Sequence, residues 1–417
     1  MTDPISKDIR YCSPYHGGWD IARMALNIPE SHAVFFCPAS CARIIALNAE
    51  KNGIKSRLSV YGLREDEIVM NDYREAVTGS VTELLERLPV RPKVVIIFTS
   101  CIDSMLATDH TGEIADLSVR YSDVEFMIMK MDPICQSAKR RQTIFKVHED
   151  IFSLLKPAER DPRSVALMGG NEWPREGSFT EHLRNSGINV MHIGLCGTME
   201  EYQKMAGAAL NVCTMPYGND AVRLLQKRYG TPFVTLTQKA DLDLFESDMK
   251  KVCEALGIPA PDTDGLRQKA VCAAEKAAKK LGGLPLYVDS AAFIDPVSWG
   301  LFLKRSGFNV KKIYVYSPTA GSGPDAEALA SEFPDVEIRD CGKYDMPDSR
   351  AREVSEAVAV GQECGCFARA AYTVPLFCDS GYWGWDAVLN VCGLIERAPE
   401  TAVTAAEMAE EAVLCAV

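Results

Sequence analysis

What this 417-residue chain lacks narrows it first. No apolar run approaches the roughly 20 residues that a membrane-spanning helix needs. The first residues, Met1-Thr2-Asp3-Pro4-Ile5-Ser6-Lys7-Asp8, are polar and carry no signal-peptide apolar region. Together these absences predict a cytoplasmic protein with no membrane partner. A formal net charge of -12 argues against binding a phosphate backbone, which takes clustered Lys and Arg, so nucleic acid is not expected as a partner. The short basic run Lys139-Arg140-Arg141 reads as a solvated helix face. Histidine is scarce, and His110, His148, His182 and His192 show no i, i+4 pair with a third ligand nearby. No G-x-G-x-x-G fingerprint follows a strand and no Walker-A loop is present, which argues against a self-contained NAD enzyme or ATPase.

Cysteine, by contrast, is abundant, at fifteen residues. A disulfide framework is not expected in a reducing compartment, nor needed at this length. Most of these thiols read as small buried apolar groups, among them Cys253, Cys272, Cys392 and Cys415 in helix-like stretches. The first quarter of the chain differs. Cys12 sits in Arg10-Tyr11-Cys12-Ser13-Pro14, and Cys37 and Cys41 bracket a short loop after the apolar Ala33-Val34-Phe35-Phe36. Cys101 closes the buried-looking run Val94-Val95-Ile96-Ile97-Phe98-Thr99-Ser100. Loops at the carboxyl ends of parallel strands share an edge, so thiolates carried on them can converge. Converging soft ligands suit an iron–sulfur cluster or zinc.

The fold class expected is α/β, because short apolar strands alternate with amphipathic helices three times over. The pattern predicts three Rossmann-like units with mostly parallel sheets covered by helices: residues 1–158 with the candidate cluster cysteines, 159–281, and 282–417 with a C-terminal helix. Linkers are expected at 156–162 and at Gly282-Gly283. Cys364-Gly365-Cys366 is too tight for the usual zinc spacing and reads as a turn between a strand and a helix. Ala320-Gly321-Ser322-Gly323 reads as a flexible turn or, alternatively, as an anion cradle at a helix start.

Three such units, an early Cys, a strand–loop Cys and a strand ending in Thr-Ser-Cys resemble the nitrogenase component 1 family. Ala208-Ala209-Leu210-Asn211-Val212-Cys213 is similar to its middle-unit segment. Pro375-Leu376-Phe377-Cys378-Asp379-Ser380-Gly381-Tyr382-Trp383-Gly384-Trp385-Asp386 is similar to its last-unit loop and following helix. The resemblance implies that Cys12, Cys41 and Cys101 ligate an iron–sulfur cluster (4Fe-4S or larger) at a protomer interface. Three thiolates per chain leave a four-iron cluster one ligand short, a gap for a partner, a bridging arrangement or another residue to fill. Cys37 either fills that place or is a packed thiol, and the segment Cys37-Pro38-Ala39-Ser40-Cys41 departs from the family's pattern here.

Cys213 matches the position where nitrogenase holds its large cofactor, while Cys378 stands near the place of the family's His ligand. Either they hold a second metallocluster in the cleft, or each is a buried thiol and the substrate is organic. The implied function is the catalytic component of a nitrogenase-like two-component reductase. Its partners would be an ATP-hydrolysing iron protein and either a second copy or a paralogous component 1 chain. The alternatives are a scaffold that assembles or delivers a complex metallocluster, and a zinc-stabilised structural protein using Cys37 and Cys41.

Overall fold

The computed structural model describes residues 21–70, 73–131, 143–170, 176–316, 323–341 and 354–401. They form two compact units. The first contains two sheets. Strands β1 (Ser31–Cys37), β2 (Leu58–Gly62), β3 (Val94–Thr99) and β4 (Glu125–Lys130) align in the order β2-β1-β3-β4. Strands β5 (Asp161–Met168), β6 (Asn189–His192), β7 (Ala208–Cys213) and β8 (Phe233–Thr235) align in the order β6-β5-β7-β8.

The second unit holds β9 (Pro285–Asp289), β10 (Asn309–Val315), β11 (Glu337–Asp340), β12 (Ser355–Val360) and β13 (Ala370–Val374), in the order β11-β10-β9-β12-β13. Every described strand pair is parallel. The α/β class and the three helix-covered parallel sheets are as the sequence pattern predicts.

The near-continuous apolar character of β1 and β3 follows from burial on both faces. Ala33, Phe35, Val94, Ile96 and Phe98 face one core, where Phe35 stacks on Phe98 with ring centroids 4.3 Å apart. Val34, Phe36, Val95 and Ile97 face the other, against Val77, Val81 and Leu85 of the helix Tyr73–Arg87. The first of these cores also takes in Ala166, Met168, Ala221 and Leu225, so β5 and the helix Asn219–Tyr229 share it. That common core makes the two four-stranded sheets one unit.

In each sheet the winding direction reverses beside the first strand: between β1 and β3, between β5 and β7, and between β9 and β12. Such reversals leave a crevice beyond the carboxyl ends of the two strands, the usual ligand position in open α/β sheets. At the second reversal Gly169 (φ 130°) packs so tightly that an added Cβ would lie 2.6 Å from the Met215 nitrogen. At the third the Asp289 carboxylate accepts hydrogen bonds from the amides of Ala291, Ala292 and Cys364, at 2.8–2.9 Å.

Two readings need correction. Cys364-Gly365-Cys366 is no turn: it lies inside the helix Gln362–Ala368. Gly365 serves packing there, since a Cβ would come within 2.6 Å of the Thr373 side chain. Cys272 lies on the helix Asp264–Leu281 as expected, but is exposed rather than buried. Within residues 156–160 the Glu159 carbonyl occupies the space a Cβ on Gly207 would need. The helix Ser178–Asn185 packs in the unit of the third sheet, where Ser178 donates to Asp386 Oδ2 from its amide (2.8 Å) and its hydroxyl (2.5 Å).

Candidate functional site

At the β1/β3 reversal the chain places three cysteines along one sheet edge. Phe36 is in register with Thr99, so Cys37 and Ser100 leave their neighbouring strands at the same level. Cys37 ends β1. Pro38 then starts the helix Ala39–Lys51, whose third residue is Cys41. Cys101 is the first residue of the helix Cys101–Leu106, directly after β3.

Their environments differ. Cys41 and Cys101 are each partly exposed, whereas Cys37 is buried. Burial pushes the Cys37 thiol up to about 12, and the nearby Cys41 adds to the shift. A protonated, desolvated thiol is a poor free nucleophile and binds metal only when the metal displaces its proton. The two partly exposed thiols therefore fit a soft-metal group better than Cys37 does. Cys12 lies outside the described residues. Among the described residues no three His, Cys, Asp or Glu side chains gather as a metal site.

The helix that starts at Cys101 is held by its own first turn. Ser100 caps it, its hydroxyl accepting from the Ile102 amide at 3.4 Å, while Asp103 Oδ2 accepts from the Ser100 amide at 3.2 Å. Asp103 Oδ1 also lies 2.6 Å from His110 Nε2, and both side chains are buried. Seven positions separate this pair, which would be two turns of a continuous helix, but the helix stops at Leu106 and Ala107 turns left-handed, so a bend rather than a helix face brings them together. The Ser100-x-x-Asp103 capping pattern was the signal available.

Cys213 ends β7, fully buried, and its thiol donates to the Met215 carbonyl at 3.0 Å. Burial raises it to about 12. As folded, this sulfur is engaged with the backbone at the end of β7. Cys378 belongs to the other unit, partly exposed, with its amide donating to the Ala291 carbonyl at 2.7 Å.

His148 and His192, noted above only for lacking metal-ligand spacing, meet near Gly169 and Gly170 at the second reversal. His192 Nε2 is 2.9 Å from the Gly170 carbonyl, and His192 Nδ1 accepts from the Gly194 amide at 3.0 Å. That pattern fixes the neutral tautomer with its proton on Nε2. Burial lowers His148 and His192 to about 4 each, and the neighbouring His192 lowers His148 further.

Comparison with known proteins adds the following. A family model described as "Nitrogenase component 1 type Oxidoreductase" matches residues 14–377. The solved structure "Nitrogenase Cp1 at pH 6.5" is similar with a TM-score of 0.66 at 13% identity, covering 91% of each chain. "Nitrogenase Cp1 at pH 5" is similar with a TM-score of 0.61 at 11% identity, covering 92% of this chain and 87% of that one. No curated protein matches. Among the described residues no helix is long and apolar enough to cross a membrane.

Proposed function

Because the chain belongs to the nitrogenase component 1 type oxidoreductases, we propose that it is the catalytic component of a nitrogenase-like two-component reductase. Electrons would come from an ATP-hydrolysing iron protein and reach a bound substrate or metallocofactor by way of an iron–sulfur cluster. The pairing partner is a second copy or a paralogous component 1 chain. We further propose that the chain is organised as three Rossmann-like units with boundaries near 158 and 281.

The observation that carries the reading is the shared edge of β1 and β3, where Cys41 and Cys101 are partly exposed beside Cys37. Cys41 and Cys101, together with Cys12 from outside the described residues, would hold the cluster, with Cys37 as a further candidate. Such a group, when bound, accepts and releases single electrons at a potential set by its surroundings.

The chain's own contribution is placement and desolvation. The apolar core behind Cys37, with Phe35 and Phe98, keeps water from the inner side of the edge. The capped turn at Ser100 fixes where Cys101 starts its helix. The dry surroundings keep Cys37 protonated unless metal takes the proton's place. The test is anaerobic mixing with an ATP-hydrolysing iron protein and a low-potential reductant. The proposal expects the visible spectrum of this chain to change when ATP is added and not before. An identical spectrum with and without ATP would count against electron delivery by such a partner.

A further inference from the structure

Behind Cys101 lies a buried polar assembly that ligand chemistry does not require. Asp103 is 1% exposed at its side chain and His110 2%, and they meet at 2.6 Å. Burying such a pair is expensive unless each remaining polar site is used. Here both carboxylate oxygens are used. Asp103 Oδ2 accepts from the Ser100 amide at 3.2 Å, next to the cysteine. The Asp103 carbonyl accepts from the Thr108 amide at 2.9 Å, closing the turn after the helix, where Ala107 takes a left-handed conformation (φ 53°). His110 Nδ1 lies 3.6 Å from Glu113 Oε2, and Glu113 receives Arg74 of the helix Tyr73–Arg87 at 3.0 and 3.4 Å. One chain of contacts thus runs from the residue before Cys101 to an arginine on a separate, long helix. A six-residue helix has little rigidity of its own, so its first residue stays where these contacts put it.

We propose that Asp103 and His110 are positioning residues for the Cys101 thiol, anchoring its turn to the helix Tyr73–Arg87 through Glu113 and Arg74. The carboxylate accepts from Ser100 and from His110 at once, and this double acceptance locks the start of the helix. The proposal concerns where the thiol sits; its consequence for a cluster rests on the function proposed above.

The hydrogen-bond logic makes the conservative variant informative. An amide at position 103 has one acceptor and one donor group. It can accept from the Ser100 amide and donate to His110 Nε2, provided the imidazole moves its proton to Nδ1, on the side where Glu113 Oε2 lies 3.6 Å away. Asp103→Asn should therefore keep the turn, whereas Asp103→Ala and His110→Ala should release it.

The test uses the full chain, purified without oxygen. Iron per chain is measured first. After chelation, iodoacetamide labelling of Cys101 is then followed by peptide mass spectrometry, with Cys41 in the same sample as reference. His110→Ala and Asp103→Ala should lower iron affinity about 10-fold, the range seen when residues supporting a metal ligand are lost. Both should change the Cys101-to-Cys41 labelling ratio several-fold, and Asp103→Asn should restore the wild-type ratio. His110→Gln serves the same purpose should the alanine variant not fold. An unchanged labelling ratio in the folded alanine variants overturns the proposal, as does equal disruption by Asp103→Asn and Asp103→Ala. A shifted ratio in a chain that binds no iron even as wild type supports positioning and contradicts the iron–sulfur reading instead.

Discussion

Phe36 of β1 and Thr99 of β3 are partners in a parallel register, and each is followed within two residues by chemistry: Cys37 after one, Ser100-Cys101 after the other. Two segments some sixty positions apart in sequence thus deliver thiols to one edge. Register rather than chain proximity creates the candidate site.

Cys41→Ala should leave the circular dichroism unchanged and lower the denaturation midpoint only slightly, by about 1 kcal/mol or less, because the side chain is partly exposed. It should also diminish iron–sulfur absorbance. Parallel spectra of the anaerobic wild type and variant check both halves, and full retention of the absorbance speaks against Cys41 as a ligand.

Cys213→Ala should behave in the opposite way. The thiol is fully buried and bonded to the Met215 carbonyl, so its loss should cost about 1–3 kcal/mol in urea unfolding. Iron content should stay at the wild-type value. Iron loss without destabilisation would restore Cys213 as a ligand.

Stability should fall in mild acid. His32, His148 and His192 are each held near 4 by burial, against an ordinary value of 6.5. Between those values the unfolded chain binds more protons than the folded one. Their contribution is therefore present above about pH 6.5 and is lost as pH falls toward about 4. Each histidine adds a slope of up to about 1.4 kcal/mol per pH unit in that window. Unfolding curves at stepped pH should flatten in His148→Gln, and an unchanged slope in that variant contradicts the assignment.

Gly361→Ala should be severely destabilising. The residue has φ 119°, and its Cβ would fall 1.9 Å from Asp289 Oδ1, inside a carboxylate that organises the third sheet's edge. A loss above about 3 kcal/mol is expected from strain and displaced hydrogen bonds together. Gly393→Ala is the control: it lies within the helix Gly384–Thr401 with nothing within 4 Å of an added Cβ, and should be neutral or stabilising by about 1 kcal/mol.

The sequence made strands visible where burial on both faces wrote an unbroken apolar run. β3 is read at its observed bounds, Val94–Thr99, for that reason. β12 and β13 escaped because Ser355-Glu356-Ala357-Val358 and Ala370-Ala371-Tyr372 are rich in alanine, which carries little strand preference. The sheet edge bearing Cys37, Cys41 and Cys101 was legible through the strand-end cysteines. The Asp103–His110 pair was not, because the bend at Ala107 that brings the two together carries no turn residue such as Gly or Pro to announce it. The contact of the Cys213 sulfur with the Met215 carbonyl depends on where that carbonyl points, which residue types alone do not encode.

The most direct measurement is iron and acid-labile sulfide in the anaerobically purified chain, compared between wild type and Cys101→Ala. The account predicts both elements together in the wild type, with visible absorbance, and their loss in a variant that keeps its circular dichroism. Iron and sulfide retained in full by Cys101→Ala, or zinc without sulfide in the wild type, would contradict it.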